Sequence, residues 1–164
     1  SHDDACDSDL IGGETVIAPR ENDKVGDLAW KPIKTNESLL MDFNREGIPG
    51  PHSNSAVYLS FWLYSPKPLD QLLAAPNVPV VNLFAGSDDG AKIWLNGKLL
   101  IENKGVHPVV PDDYRCTSLA LKQGWNHFLV KIAQAAGEWQ FTAHIQCSDP
   151  RYMAEMKSSL EEPR

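Results

Sequence analysis

The sequence predicts an all-β fold, a two-sheet antiparallel β-sandwich closed by a short C-terminal helix. Three observations lead there. Residues 56–65 read AVYLSFWLYS, ten positions dense in β-branched and aromatic side chains and free of Gly and Pro. Residues 138–147 alternate strictly between Trp139, Phe141, Ala143, Ile145, Cys147 and Glu138, Gln140, Thr142, His144, Gln146, the period of a half-buried strand. Between them Asn96-Gly97 is a two-residue hairpin turn whose positions both tolerate positive φ.

The elements follow in chain order. Residues 1–13, polar and glycine-containing, read as an irregular lead-in, 14–18 as a short first strand and 22–27 as a charged turn. A short apolar run covers 39–43, and the Pro, Gly, Ser and Asn of 44–54 make a long loop. In the 56–65 strand, Val57, Leu59, Phe61 and Leu63 share one face, and Ala56, Tyr58, Ser60, Trp62 and Tyr64 the other, so one side is core and the second amphipathic. Residues 69–75 form at most one helical turn, and strands resume at 80–85. Gly86-Ser87-Asp88-Asp89-Gly90 turns the chain into 91–95, and 98–101 returns after Asn96-Gly97. After a loop over 103–113, strands at 115–121 and 126–134 are joined by Lys122-Gln123-Gly124, and Ala135-Ala136-Gly137 leads into 138–147. Pro150 at the first helical position with Asp149 or Ser148 as cap starts a helix over 150–162. The expectation is one domain over 1–164, its core at 14–147 and its helical tail at 148–164.

Composition narrows function. A formal charge of −7 and a pI near 5.1 would repel a phosphate backbone, which argues against nucleic acid. No run approaches the roughly 20 apolar residues of a membrane-spanning helix. The chain opens Ser1-His2-Asp3 without Met or an apolar leader, so it reads as a mature or excised piece. Cys6, Cys116 and Cys147 are too widely spaced for a CxxC motif. If the termini lie on neighbouring strands, Cys6 pairs with Cys147 and Cys116 stays free; otherwise all three are buried thiols. No GxSxG, HExxH, Walker A or GxGxxG motif occurs, and His107, His127 and His144 are scattered, the last two on outward strand positions where a lone histidine is usually solvated. Two carboxylates such as Asp89 and Asp113 across a cleft would be needed for a glycosidase. A small sandwich rarely builds that cleft, so the chain is expected not to be an enzyme.

The stretch Gly86-Ser87-Asp88-Asp89-Gly90-Ala91-Lys92-Ile93-Trp94-Leu95-Asn96-Gly97-Lys98, followed by Leu121-Lys122-Gln123-Gly124-Trp125-Asn126-His127-Phe128-Leu129-Val130-Lys131, resembles the signature of galactose-binding-like and protective-antigen-type β-sandwich accessory domains. With Trp30 and Ser65-Pro66-Lys67 the resemblance covers about residues 28–146. It implies a jelly-roll fold and a module appended to a secreted bacterial protein, in an extracellular or periplasmic setting. Its partners would be a polysaccharide or oligosaccharide and other domains of a larger parent. The fold hosts sugar binding, protein contacts and plain spacers alike, so function must come from the site.

Three groups of residues carry the candidates, each with a plainer alternative. Asp88 and Asp89 are either a turn whose carboxylates satisfy their own amides or oxygen ligands for calcium. Asp112, Asp113, Tyr114 and Arg115 are either a solvated loop or a sugar subsite, with carboxylates accepting from hydroxyls, Arg115 donating and Tyr114 giving a flat face. Trp94, placed opposite the Ala91, Ile93 and Leu95 stripe, joins Tyr58 and Trp62 in an aromatic platform if that face is open, and is packing if it is covered. Trp125 and Trp139 are expected in the core. Two functions therefore compete: a carbohydrate-binding accessory module, and a structural or protein-interaction domain with no sugar ligand.

Overall fold

The computed structural model describes residues 1–33, 40–48, 52–69 and 78–163. Among them two antiparallel sheets face each other. The smaller has the order β3 (Leu40–Asp42), β10 (Gln140–Cys147), β5 (Val81–Asp88), β8 (Tyr114–Cys116). The larger has the order β11 (Lys157–Ser159), β4 (Ser55–Ser65), β9 (Gly124–Gln134), β6 (Gly90–Leu95), β7 (Lys98–Asn103). A separate two-residue hairpin pairs β1 (Lys24–Val25) with β2 (Leu28–Ala29).

The alternation seen in the sequence fills the space between the sheets. Leu63 of β4, Phe128, Val130 and Ile132 of β9, and Ile93 and Leu95 of β6 meet Val81, Leu83 and Ala85 of β5 and Phe141 of β10, with Trp139 just before it. Val57, Leu59 and Phe61 pack on the same cluster, and Phe61 stacks on Phe128 at 4.9 Å, as their pairing in register requires. The Asn96-Gly97 turn joins β6 to β7 with φ of 50° and 80°.

Asn126 explains why the GWN and LNG segments travel together. Wholly buried, it donates through Nδ2 to the carbonyls of Lys122 and Gly124, while its Oδ1 accepts from the Lys122 amide and the Asn96 side chain. Asn96 in turn accepts from the His127 amide, so the two asparagines tie both turns at this end of the larger sheet.

Several expectations change. Residues 2–7 are a helix, α1 (His2–Asp7), started by a Ser1 and Asp4 capping box rather than left irregular. The expected strand at 14–18 is a turn held by Val16 and Ile17 amides on the Gly13 carbonyl. Within the charged turn at 22–27 the chain already pairs at Lys24 and Val25. Residues 86–90 do not form a five-residue turn: β5 runs on to Asp88 and β6 begins at Gly90, in the other sheet, so Asp89 is a one-residue corner with a cis bond to Asp88. The strand expected at 115–121 stops at Cys116, and Leu121 instead bridges Leu69. The helical turn expected at 69–75 falls on residues outside those described, apart from Leu69.

The tail also differs. Asp149 caps α2 (Pro150–Glu155), with Pro150 at the first turn, but the helix ends there because β11 pairs with Tyr64, Leu63 and Trp62 of β4. Tyr152 is buried, its hydroxyl bonded to Ser65 and the Lys67 carbonyl. Cys6, Cys116 and Cys147 are free thiols. Cys6 lies against Gly90 whereas Cys147 pairs with Val81, the far end of β5, so roughly 20 Å of strand separates them, well beyond the reach of a disulfide.

Candidate functional site

The outer face of the larger sheet carries Tyr58, Ser60, Trp62 and Tyr64 of β4 beside Lys131, Leu129, His127 and Trp125 of β9, with Lys92 and Trp94 of β6 beyond. Of the two alternatives for these aromatics, an open platform or a covered face, the structure shows the covered one: Trp62 and Trp94 are each 5% exposed. The N-terminal segment covers it. Lys131, 1% exposed, donates to the carbonyls of Cys6 and Ser8 at 3.0 and 2.6 Å and to Glu14 Oε1 at 3.0 Å. Tyr58 donates to the same Glu14 oxygen at 2.6 Å and accepts from the Leu10 amide, and its ring lies under the Lys131 ammonium. Asp7 bridges Lys92 and Lys104, and the Thr15 carbonyl sits where a side chain on Gly97 would be. Further along, the Glu21 amide and the Arg20 guanidinium reach Glu161.

Consequently β9 is buried on both faces, and His127 is an interior residue rather than the solvated one its outward position suggested. It packs on Trp62, meets the Ser60 hydroxyl at 2.8 Å, and burial lowers its pKa. Trp139 is core as expected; Trp125 is half-buried, edge-on to Tyr64.

At the corner between the sheets, Asp89 is committed to the fold. Its Oδ1 accepts from the His107 amide at 3.1 Å and its Oδ2 from the Ala135 amide at 2.7 Å. Asp88 stands beside it, and burial together with the Asp89 charge pushes the Asp88 carboxyl up to about 6. Both line a pocket of about 380 Å³ with His107 and Glu138. Among the described residues no group of three His, Cys, Asp or Glu is arranged to hold a metal. Both Asp89 oxygens accept from backbone amides of other loops, so this carboxylate ties the corner together. Tyr114 is drawn to this corner too: its hydroxyl contacts Ser87 at 2.9 Å and accepts from Asn103 at 2.7 Å, and its half-buried ring packs against the core.

The remaining candidates lie on the outer face of the smaller sheet. There the pairing aligns His144 of β10, Phe84 of β5 and Arg115 of β8 in one cross-strand row. Phe84 and His144 stack at 5.1 Å with planes 8° apart, both half-buried, while Arg115 is exposed. Asn82 and Gln146 form the next row. A wall rises on the other side, because the Val110 carbonyl rests on Gly86, where an added Cβ would lie 2.0 Å from it. That wall brings Asp112, at φ 62°, to His144, with Nδ1 to Oδ1 at 3.3 Å. Thus Asp112 and Arg115 share a ledge, Asp113 is exposed on the wall, and Tyr114 turns inward. Sequence reasoning missed Phe84 and His144 as members. The available signal was a phenylalanine on the polar side of an alternating strand, Val81, Leu83 and Ala85 being the inward side.

No protein-family model matches the chain, and no curated protein matches it. Among solved structures it is similar to Streptomyces avermitilis alpha-L-rhamnosidase complexed with L-rhamnose, at 14% identity and a TM-score of 0.33, over 71% of this chain. The chain spans 12% of the length of that enzyme. At that TM-score the likeness does not bear on what this chain binds.

Proposed function

We propose that the chain is a non-catalytic carbohydrate-binding module of a larger extracytoplasmic protein, and that it binds glycan on the outer face of its smaller sheet. The observation behind this reading is the row His144, Phe84, Arg115 with Asp112 beside it: an apolar stack ringed by a cation, a carboxylate and two amides on a rigid sheet. A sugar ring set along the ledge would rest its C–H face against the Phe84 and His144 stack. Its hydroxyls would reach Asp112 as acceptor and Arg115, Asn82 or Gln146 as donors. A shallow site of this kind binds weakly alone and gains by avidity when the parent protein presents several modules.

The test is affinity electrophoresis and calorimetry against a panel of plant, algal and bacterial polysaccharides. Retardation of the parent chain, lost in Phe84→Ala with the melting temperature kept, is the expected result. A panel in which nothing retards the parent would end this reading. The sealed face of the larger sheet favours a second one, a structural or protein-interaction domain with no sugar ligand, and that reading is what a silent panel would leave.

A further inference from the structure

We infer that the ledge selects an acidic sugar, one bearing a carboxylate, and that Arg115 is the residue that recognises it; the inference rests on the glycan-binding reading above. The charges on the ledge are not equivalent. Asp112 is already engaged by His144 at 3.3 Å. The other ring nitrogen of His144 faces the Gln146 amide nitrogen at 3.3 Å, and that nitrogen can only donate, so the imidazole accepts there and directs its Nδ1 proton at Asp112. Arg115, by contrast, is exposed and forms no ion pair among the described residues. Asp113, two residues earlier and also exposed, makes none with it. The ledge's carboxylate therefore already faces a ring N–H, with lone pairs left for a sugar hydroxyl, whereas its cation has no charged partner among the described residues.

Geometry favours a carboxylate over other anions. The row from His144 to Arg115 spans two strand spacings, about 10 Å, which sets a sugar ring on the aromatic stack within reach of the guanidinium. A planar fork of N–H donors matches two oxygens lying in its own plane, which a carboxylate presents directly; a lysine ammonium cannot make that match, and a tetrahedral sulfate, which can also bridge the fork, is separated by its own arm of the experiment. The whole chain carries −7, so it has no general attraction for polyanions. Retention of an acidic glycan would then report the local fork and not the overall field.

The experiment uses the full chain and paired probes: polygalacturonate and alginate, each beside its carboxyl-reduced neutral form, with dextran sulfate as a third arm. The parent is expected to bind an acidic polymer and to bind its reduced form roughly tenfold to a hundredfold more weakly, with a similar loss in Arg115→Ala at an unchanged melting temperature. Arg115→Lys keeps the charge without the fork and is expected to recover only part of the loss. Equal binding of an acidic polymer and its reduced form overturns the inference but leaves the glycan-binding reading standing. So does dextran sulfate binding as tightly as the carboxylates, or Arg115→Lys binding like the parent. If none of these polymers and none of the wider panel binds, the glycan-binding reading falls and the inference falls with it.

Discussion

At the scale of single residues, the chain shows how one carboxylate can be spent on structure while its neighbour is left strained. Asp89 keeps both oxygens on backbone amides from two different loops, and this holds the corner where the chain changes sheets. Asp88 has no such donors among the described residues. It is 7% exposed, and its carboxyl is pushed up to about 6 by burial and by the Asp89 charge. The folded state therefore holds a proton on Asp88 that the unfolded state, at the ordinary 3.8, has already lost. Stability from this group is present below about pH 4 and is lost as pH rises through about 6. Asp88→Asn removes the charge and keeps a donor toward Asp89. Its melting temperature relative to the parent is expected to be near zero below pH 4, to grow between pH 4 and 6, and to level off above. The move from 3.8 to about 6 bounds the gain at roughly 3 kcal/mol. A difference that stays flat across pH 4 to 7 would show that Asp88 is not held protonated.

At the scale of elements, the N-terminal segment is the part of the fold whose role the sequence concealed. Residues 1–13 show no period, and their partners are far along the chain, so nothing local marks them as a cover. The clue was on β9 instead. Lys131 occupies an outward position whose neighbours Leu129 and Ala133 are apolar, an arrangement that suits a strand with both faces buried and an ammonium that must find acceptors. Those acceptors are the carbonyls of Cys6 and Ser8 and the carboxylate of Glu14. Replacing Lys131 by Met keeps the stem and removes the charge, which strands Glu14 beneath the cover. The expected cost is roughly 3–5 kcal/mol, the usual consequence of removing one partner of a buried ion pair. Hydrogen exchange would locate it. Amides of residues 5–17 should lose protection first, while those of β4 and β9 keep most of theirs. Uniform loss of protection across both sheets would mean that the cover does not open as a separate unit.

At the scale of the whole molecule, the two long alternating runs and the Asn96-Gly97 turn were enough to foresee a sandwich, because period two with a Gly-free aromatic run has few other solutions. The site was harder to read. Which of two amphipathic faces stays open depends on where a segment without pattern lies, and so Trp62 and Trp94 looked available while Phe84 and His144 passed unnoticed. Cysteine pairing failed for a related reason: it required the termini to be neighbours, and α1 and the end of β10 lie on different sheets. This bears on what holds the domain together. A chain of 164 residues with a continuous core from Trp139 to Ile132 does not need a covalent staple of the kind that small secreted domains use. Adding dithiothreitol is therefore expected to leave the melting temperature unchanged, whereas losing a native disulfide of 2–5 kcal/mol would lower it by roughly 5–15 °C. Thiol titration sharpens the point. Burial raises the Cys6 and Cys116 thiols, so both should react slowly in the folded chain, and all three should react at once in guanidinium. A single reactive thiol in guanidinium, together with a reductant-sensitive melt, would show that a bridge forms; were the remaining thiol Cys116, the N-terminal helix would have to leave β9 to make it.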